Sequence, residues 1–245
     1  MNYVIANWKL NGTLNFTKRY GEHLNQFLKC RSVSNVATVI ICPPFPFLFA
    51  LSQTCEEKEF FIGAQDCSPF ENGPHTGDVS AKMIKDSGAS YVIIGHSECR
   101  QKTPEEPHNI LKKIICAQNA GIKPILCVGE SLQERKKGQA VSFVKKQIES
   151  ALKNCDNLED ILIAYEPVWA IGTGETATLK DIQVMHKEIH SMPLLKGKNI
   201  PVLYGGSVNS ENTKDIISLA GVQGVLVGGA SLKVETFQPI IESVL

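Results

Sequence analysis

YVIIGHSE, residues 91–98, starts with four apolar residues, three of them β-branched, and ends in a glycine followed by three side chains that can hold or move a proton. Apolarity at every position, rather than at every second one, suits a strand covered on both faces, as in a parallel sheet. Runs of the same kind recur at YVIA (3–6), ATVII (37–41), FFIG (60–63), PILCV (124–128), ILIA (161–164), PVLY (201–204) and GVLV (224–227), which makes eight. Between them lie helix-like segments. In 140–152, Val141, Val144, Ile148 and Leu152 fall on one face at helical spacing, and 179–189 and 213–219 are further examples. The distance from run to run accommodates one strand, one helix and two loops, the βα repeat. Eight such units close into a (β/α)8 barrel of about this length. An open doubly wound sheet is the competing architecture, but it opens with a Gly-rich first turn that this chain lacks. No Ser- or Pro-rich linker divides the chain, so residues 1–245 are expected to form one domain.

The composition, 43% apolar and 20% charged over 245 residues, supports one large core. The 25 Lys and Arg balance the 25 Asp and Glu. No net field recruits nucleic acid or an anionic membrane, and a small molecule is the expected partner. The eight cysteines, at 30, 42, 55, 67, 99, 116, 127 and 155, form no C-x-x-C, and several sit inside apolar runs. They read as buried, reduced thiols of a cytoplasmic protein. No apolar run approaches the roughly 18 residues of a membrane span, and MNYVIANWK has no basic stretch followed by a long apolar one. The chain is expected to be soluble and unexported. The longest irregular piece, DCSPFENGPHTGD (66–78), is long enough to grip a partner.

In such a barrel the residues just after each strand carry the chemistry. Here they are Asn7 and Lys9, then GHSE (95–98), GE (129–130), Glu166, GGS (205–207) and GGAS (228–231). Alone, a Lys is a solvated charge, a His a satisfied surface residue and a Gly pair a tight turn. Gathered on one rim, they make a site. The paired glycines let backbone N–H groups approach an anion at a helix start, with the neighbouring serines as hydroxyl donors, so a phosphorylated substrate is expected. A carboxylate and an imidazole facing one point, with a Lys nearby, can move a proton between adjacent carbons. That is isomerase or aldolase chemistry; the position of Lys9 at the mouth suits an electrostatic role better than a Schiff base.

Three other patterns are weaker. GTGETA (172–177) fits a dinucleotide fingerprint, but six residues separate it from the apolar run that ends at Tyr165, and HSE lacks the second glycine of a nucleophile elbow. His186 and His190 have the spacing of zinc ligands without a third partner, and read as surface histidines of a helix.

ANWK (6–9), IGHSE (94–98), CVGE (127–130), AYEPVWAIGTG (164–174), YGGSV (204–208) and LVGGASL (226–232) together resemble the triosephosphate isomerase family, in the family's order and over nearly the whole chain. The resemblance implies a single TIM barrel that interconverts dihydroxyacetone phosphate and glyceraldehyde 3-phosphate in glycolysis and gluconeogenesis, without cofactor or metal. It implies Glu166 as the base, His96 as a neutral electrophile, Lys9 as a fixed charge, and Asn7 orienting the substrate oxygens. It puts the phosphate on Gly172, Ser207, Gly228 and Gly229. Glu98 would pair with Lys9, Glu130 would receive the Trp169 indole N–H, Cys127 would pack beside the base, and Tyr204 would stand behind the site. PVWAI (167–171) becomes a lid hinged at Pro167 and at GTG (172–174) that excludes water. Segment 66–78 resembles the family's dimer loop, with Thr76 reaching the neighbouring subunit of a homodimer.

The chain departs from the family at Cys99, Thr103 and Pro104, where an Arg, an aromatic residue and a Gly are usual, while Arg100 and Glu105 remain; Glu175 replaces a frequent Lys. A ribulose-phosphate epimerase would need metal-ligating His and Asp at several strand ends, and this rim offers only His96. A non-catalytic sugar-phosphate binder would be free to lose Glu166, His96 or Lys9, and all three are present.

Overall fold

The computed structural model describes residues 2–31, 33, 36–55, 59–102, 107–171 and 175–245. Its strands are β1 (Asn2–Asn7), β2 (Ala37–Cys42), β3 (Phe61–Ala64), β4 (Tyr91–Ile94), β5 (Lys123–Val128), β6 (Leu162–Tyr165), β7 (Val202–Tyr204) and β8 (Gly224–Val227). All pair in parallel with their chain neighbours, and β8 returns to β1, so the sheet closes as a barrel. Around it run α1 (Leu14–Arg31), α2 (Leu48–Ser52), α3 (Ala81–Asp86), α4 (Ser97–Lys102), α5 (Pro107–Asn119), α6 (Leu132–Lys136), α7 (Ala140–Leu152), α8 (Leu179–His190), α9 (Thr213–Ile217) and α10 (Val234–Glu242).

The unbroken apolar runs are explained by two cores. Ile5, Ile40, Ile93, Ile125, Cys127, Leu162, Ala164 and Leu203 fill the barrel interior. Their neighbours Val4, Ala6, Ile41, Val92, Leu126, Ile163 and Val202 face the helices. Side chains alternate with period two, yet both faces are dry, so the middle of each strand is apolar at nearly every position, with Thr38 of β2 an exception. Each buried Ile or Leu adds about 1.5–3 kcal/mol before entropy is counted.

Boundaries moved where the hydrogen-bond ladder, not apolarity, decides them. The third strand lies one residue later than FFIG, because Phe61 is the residue registered against Ile40. The seventh starts at Val202, since Pro201 has no N–H and only its carbonyl is used, by Ile163 N at 2.9 Å. Helix α9 stops at Ile217, short of Leu219, and the chain turns through Gly221 at φ 87°. The N-terminus of α8 carries a capping box between Thr178 and Asp181.

All eight cysteines are free thiols, but only Cys42, Cys67 and Cys127 are buried, and Cys30 is exposed. The expectation of surface histidines on α8 is corrected for His186, which has no exposed area. Its Nδ1 donates to the Gly221 carbonyl at 3.1 Å and its ring packs edge-on to Tyr165. Among the described residues no helix is long and apolar enough to cross a membrane.

Candidate active site

The inward alternation that fills the barrel runs out of core at its C-terminal end. From Ile5 it reaches Asn7, from Ala164 Glu166, from Leu203 Gly205 and from Leu226 Gly228, and these four line a cavity of about 330 Å³. A Cβ on Gly205 would come 3.0 Å from Glu166 Cγ, so the glycine keeps the Glu166 side chain uncrowded. Lys9, His96 and Ser207 also line it.

Consecutive backbone amides of one turn hold the two proton-handling groups. Ser97 N donates to Glu166 Oε2 at 3.0 Å, and Glu98 N donates to His96 Nδ1 at 3.2 Å. Because Nδ1 accepts, the neutral imidazole carries its proton on Nε2, which stands 3.0 Å from Glu166 Oε1. Both side chains are almost wholly buried. Burial is the largest single influence on His96 and disfavours its cation, but the charge and hydrogen bond of Glu166 outweigh it and raise its pKa. Below them Cys127 is buried, and burial first, then the Glu166 charge, holds its thiol protonated. Arg100 secures the turn by donating to the carbonyls of Gly95 at 2.7 Å and Cys127 at 3.2 Å.

Lys9 is the one non-glycine residue with positive φ, 53°, among those described, a conformation that costs about 1–2 kcal/mol and persists only where the surroundings enforce it. Its N–H donates to Asn7 Oδ1 at 3.0 Å and its Nζ to Glu98 Oε1 at 2.7 Å. Burial would raise the Glu98 pKa; the Lys9 hydrogen bond and charge win and lower it.

Segment 167–171 is clasped from behind. Glu130, fully buried, accepts from Trp169 Nε1 at 2.8 Å and from the Tyr165 hydroxyl at 3.2 Å through the same oxygen. The Arg135 guanidinium lies 4.3 Å over the Trp169 ring and 3.4 Å from Glu130. Ser207 Oγ donates to the Ala170 carbonyl at 3.1 Å. The Tyr204 hydroxyl is buried without a partner among the described residues, beside a cavity of about 250 Å³ shared with Thr176 and Ala177. Gly172, Thr173 and Gly174, with the expected phosphate contact and second hinge, lie outside the described residues, as do Thr103, Pro104 and Glu105.

At the glycine-rich end, a Cβ on Gly229 would meet nothing within 4 Å, and one on Gly228 would reach only the Lys9 side chain, Cε at 3.4 Å and Nζ at 3.8 Å. Crowding therefore does not explain this pair, and both line the cavity. The expected hydroxyl donor at Ser231 is corrected: its side chain is fully buried and donates back to the Gly228 carbonyl at 2.7 Å, closing the turn. Thr76 is exposed on the 66–78 segment, which is braced by Ser68 Oγ on Asp78 at 2.7 Å and by the stacked rings of Phe70 and His75. Sequence reasoning missed the Ser97 amide, Arg135 and Gln65; of these only Gln65 had a legible signal, its place in the inward series of β3. Among the described residues no group of three or more His, Cys, Asp or Glu could hold a metal ion.

The family model described as "Triosephosphate isomerase" matches residues 2–244. Triosephosphate isomerase of Hahella chejuensis is 41% identical over 98% of this chain and 97% of its own. That of Porphyromonas gingivalis is 42% identical over 99% and 98%. The solved triosephosphate isomerase structure from Bartonella henselae superposes with a TM-score of 0.87 at 35% identity, covering 99% of this chain and 98% of that one.

Proposed function

The chain belongs to the triosephosphate isomerase family, and from that premise we propose how its barrel mouth interconverts dihydroxyacetone phosphate and D-glyceraldehyde 3-phosphate. Glu166 takes the proton from C1 of the ketose, and the C–H electrons form the C1–C2 double bond of an enediolate. The oxygen on C2 gains the charge and meets the His96 Nε2–H and the Lys9 ammonium. His96 gives its proton to that oxygen and takes one from the oxygen on C1, while Glu166 returns its proton to C2. Asn7 orients the oxygens; Glu98 holds Lys9, and Cys127 packs under the base.

The observation that supports this best is the 3.0 Å contact of Glu166 Oε1 with the proton-bearing nitrogen of His96. Substrate slots between two groups that already share a hydrogen bond, so each exchanges its partner for a reacting atom. Phosphate binds at Ser207, Gly228 and Gly229 and, as the lid closes, at Gly172. The lid of Pro167 to Ile171, clasped at Trp169 by Glu130 and Arg135 and backed by Tyr204, keeps water from the enediolate, which would otherwise eliminate its phosphate. The reaction calls on no cofactor or metal. The protein works as a cytoplasmic homodimer with Thr76 reaching the neighbouring site; nearly all of Leu10, 93%, stands exposed beside Lys9 as apolar surface for that contact.

Glu166→Asp tests the base. It withdraws the carboxylate by about 1 Å, which is expected to cut kcat by about 100-fold with KM little changed, because the misplacement is felt in the transition state. Turnover unaltered in a coupled assay would remove Glu166 from the role.

A further inference from the structure

Gln65 follows β3 in the inward series: Phe61 packs on the barrel interior, and a Cβ on Gly63 would strike Cys42 Sγ and Ile40. At the mouth its Nε2 donates to the Lys9 carbonyl at 2.9 Å and to the Cys42 carbonyl at 2.9 Å. Both partners are acceptors only, so the amide nitrogen has to face them, and both of its protons are in use. The Cys42 carbonyl also accepts Trp8 N at 3.1 Å, which ties the end of β2 to the strained turn. The Lys9 N–H is taken by Asn7 at 3.0 Å. The one left-handed non-glycine residue described is thus gripped by a side chain on each of its own backbone groups, one fixing φ and the other ψ.

We propose that Gln65 is a positioning residue for the reaction: it holds the Lys9 peptide in its left-handed conformation and so sets where the ammonium stands. The proposal rests on the role given to Lys9 above. Without the Gln65 donors the Lys9 carbonyl is free to turn, the backbone relaxes toward ordinary φ, and Nζ leaves the point where the substrate oxygen develops charge. A side chain with a purely structural role would weaken the site whether or not Lys9 carries its ammonium; a side chain acting through Lys9 would not.

A double-mutant cycle separates the two. Gln65→Met keeps length and removes both donors, and calorimetric binding of 2-phosphoglycolate, a phosphorylated carboxylate resembling the enediolate in charge, reads the site without needing turnover. Gln65→Met is expected to weaken binding and kcat/KM by about tenfold in the native background, and to change binding less than about twofold in Lys9→Ala. Gln65→Glu, which keeps length and polarity but at neutral pH donates to neither carbonyl, is carried through the same cycle and supplies the answer if Gln65→Met fails to fold. An equal loss in both backgrounds, or no loss in the native one, overturns the positioning role. If Lys9→Ala alone binds as tightly as the native chain, the assignment of Lys9 falls, and Gln65 with it. Sedimentation of each variant at assay concentration shows whether any loss follows the oligomeric state instead.

Discussion

Glu166 and His96 are oriented by neighbouring amides of the turn between β4 and α4, Ser97 N on the carboxylate and Glu98 N on Nδ1, so one short backbone stretch sets both the aim of the carboxylate and the tautomer of the imidazole. The charge state of the imidazole then depends on where the carboxylate is. With Glu166 in contact the pKa of His96 lies above its ordinary value; with the carboxylate engaged elsewhere, burial, the largest influence, remains and keeps the ring neutral. Glu166→Gln is therefore expected to lower the His96 pKa, followed through its ring resonances in an NMR titration; a pKa unchanged or higher would contradict the coupling. The sign carries to stability. A histidine raised in the native state adds stability below its unfolded pKa, and that stability is lost as pH rises through the native pKa, so this contribution should vanish in the variant. His96, Glu166 and Lys9 stood in view in the sequence because each follows directly on an apolar run. Gln65 was legible only as the next inward position after β3; its grip on another residue's backbone is something no motif records.

Helix α8 shows what burial does to a polar residue that reads in the sequence as a surface histidine. His186 packs against Tyr165 of β6, and burial pushes its pKa down to about 4, with the Gly221 carbonyl opposing weakly. A depressed histidine is neutral in the native state while the unfolded chain takes up a proton from about pH 6.5 downward. Stability is fully present above that value and is lost as pH falls toward 4, by up to about 3 kcal/mol. The urea midpoint should fall between pH 7 and 4.5 by less in His186→Leu than in the native chain, whatever the substitution costs at pH 7. Equal falls would show that the helix docks without regard to this proton. The strands were legible as elements because both faces of each are dry; their ends were not, since Pro201 and the registers of β3 and β6 are set by partners distant in sequence.

For the whole molecule, the exposed Leu10 and Phe70 offer apolar surface to the second copy of the chain proposed above. Thr76→Arg on the exposed 66–78 segment is expected to reduce dimer content and activity together, by about tenfold each at micromolar concentration, with sedimentation and assay run on the same samples. A monomer as active as the native chain would take the neighbouring subunit out of the site. The closed barrel and the rim that bears the chemistry were determined by the sequence alone, since the βα repeat is local, eight copies of it have few ways to close, and the strand ends are where apolar residues stop. The tautomer of His96, the grip on Lys9, the inward turn of Ser231 and the burial of His186 were decided only by the tertiary structure, because each depends on hydrogen bonds or packing between groups that are far apart in the chain or turned by a local φ that composition and spacing do not encode.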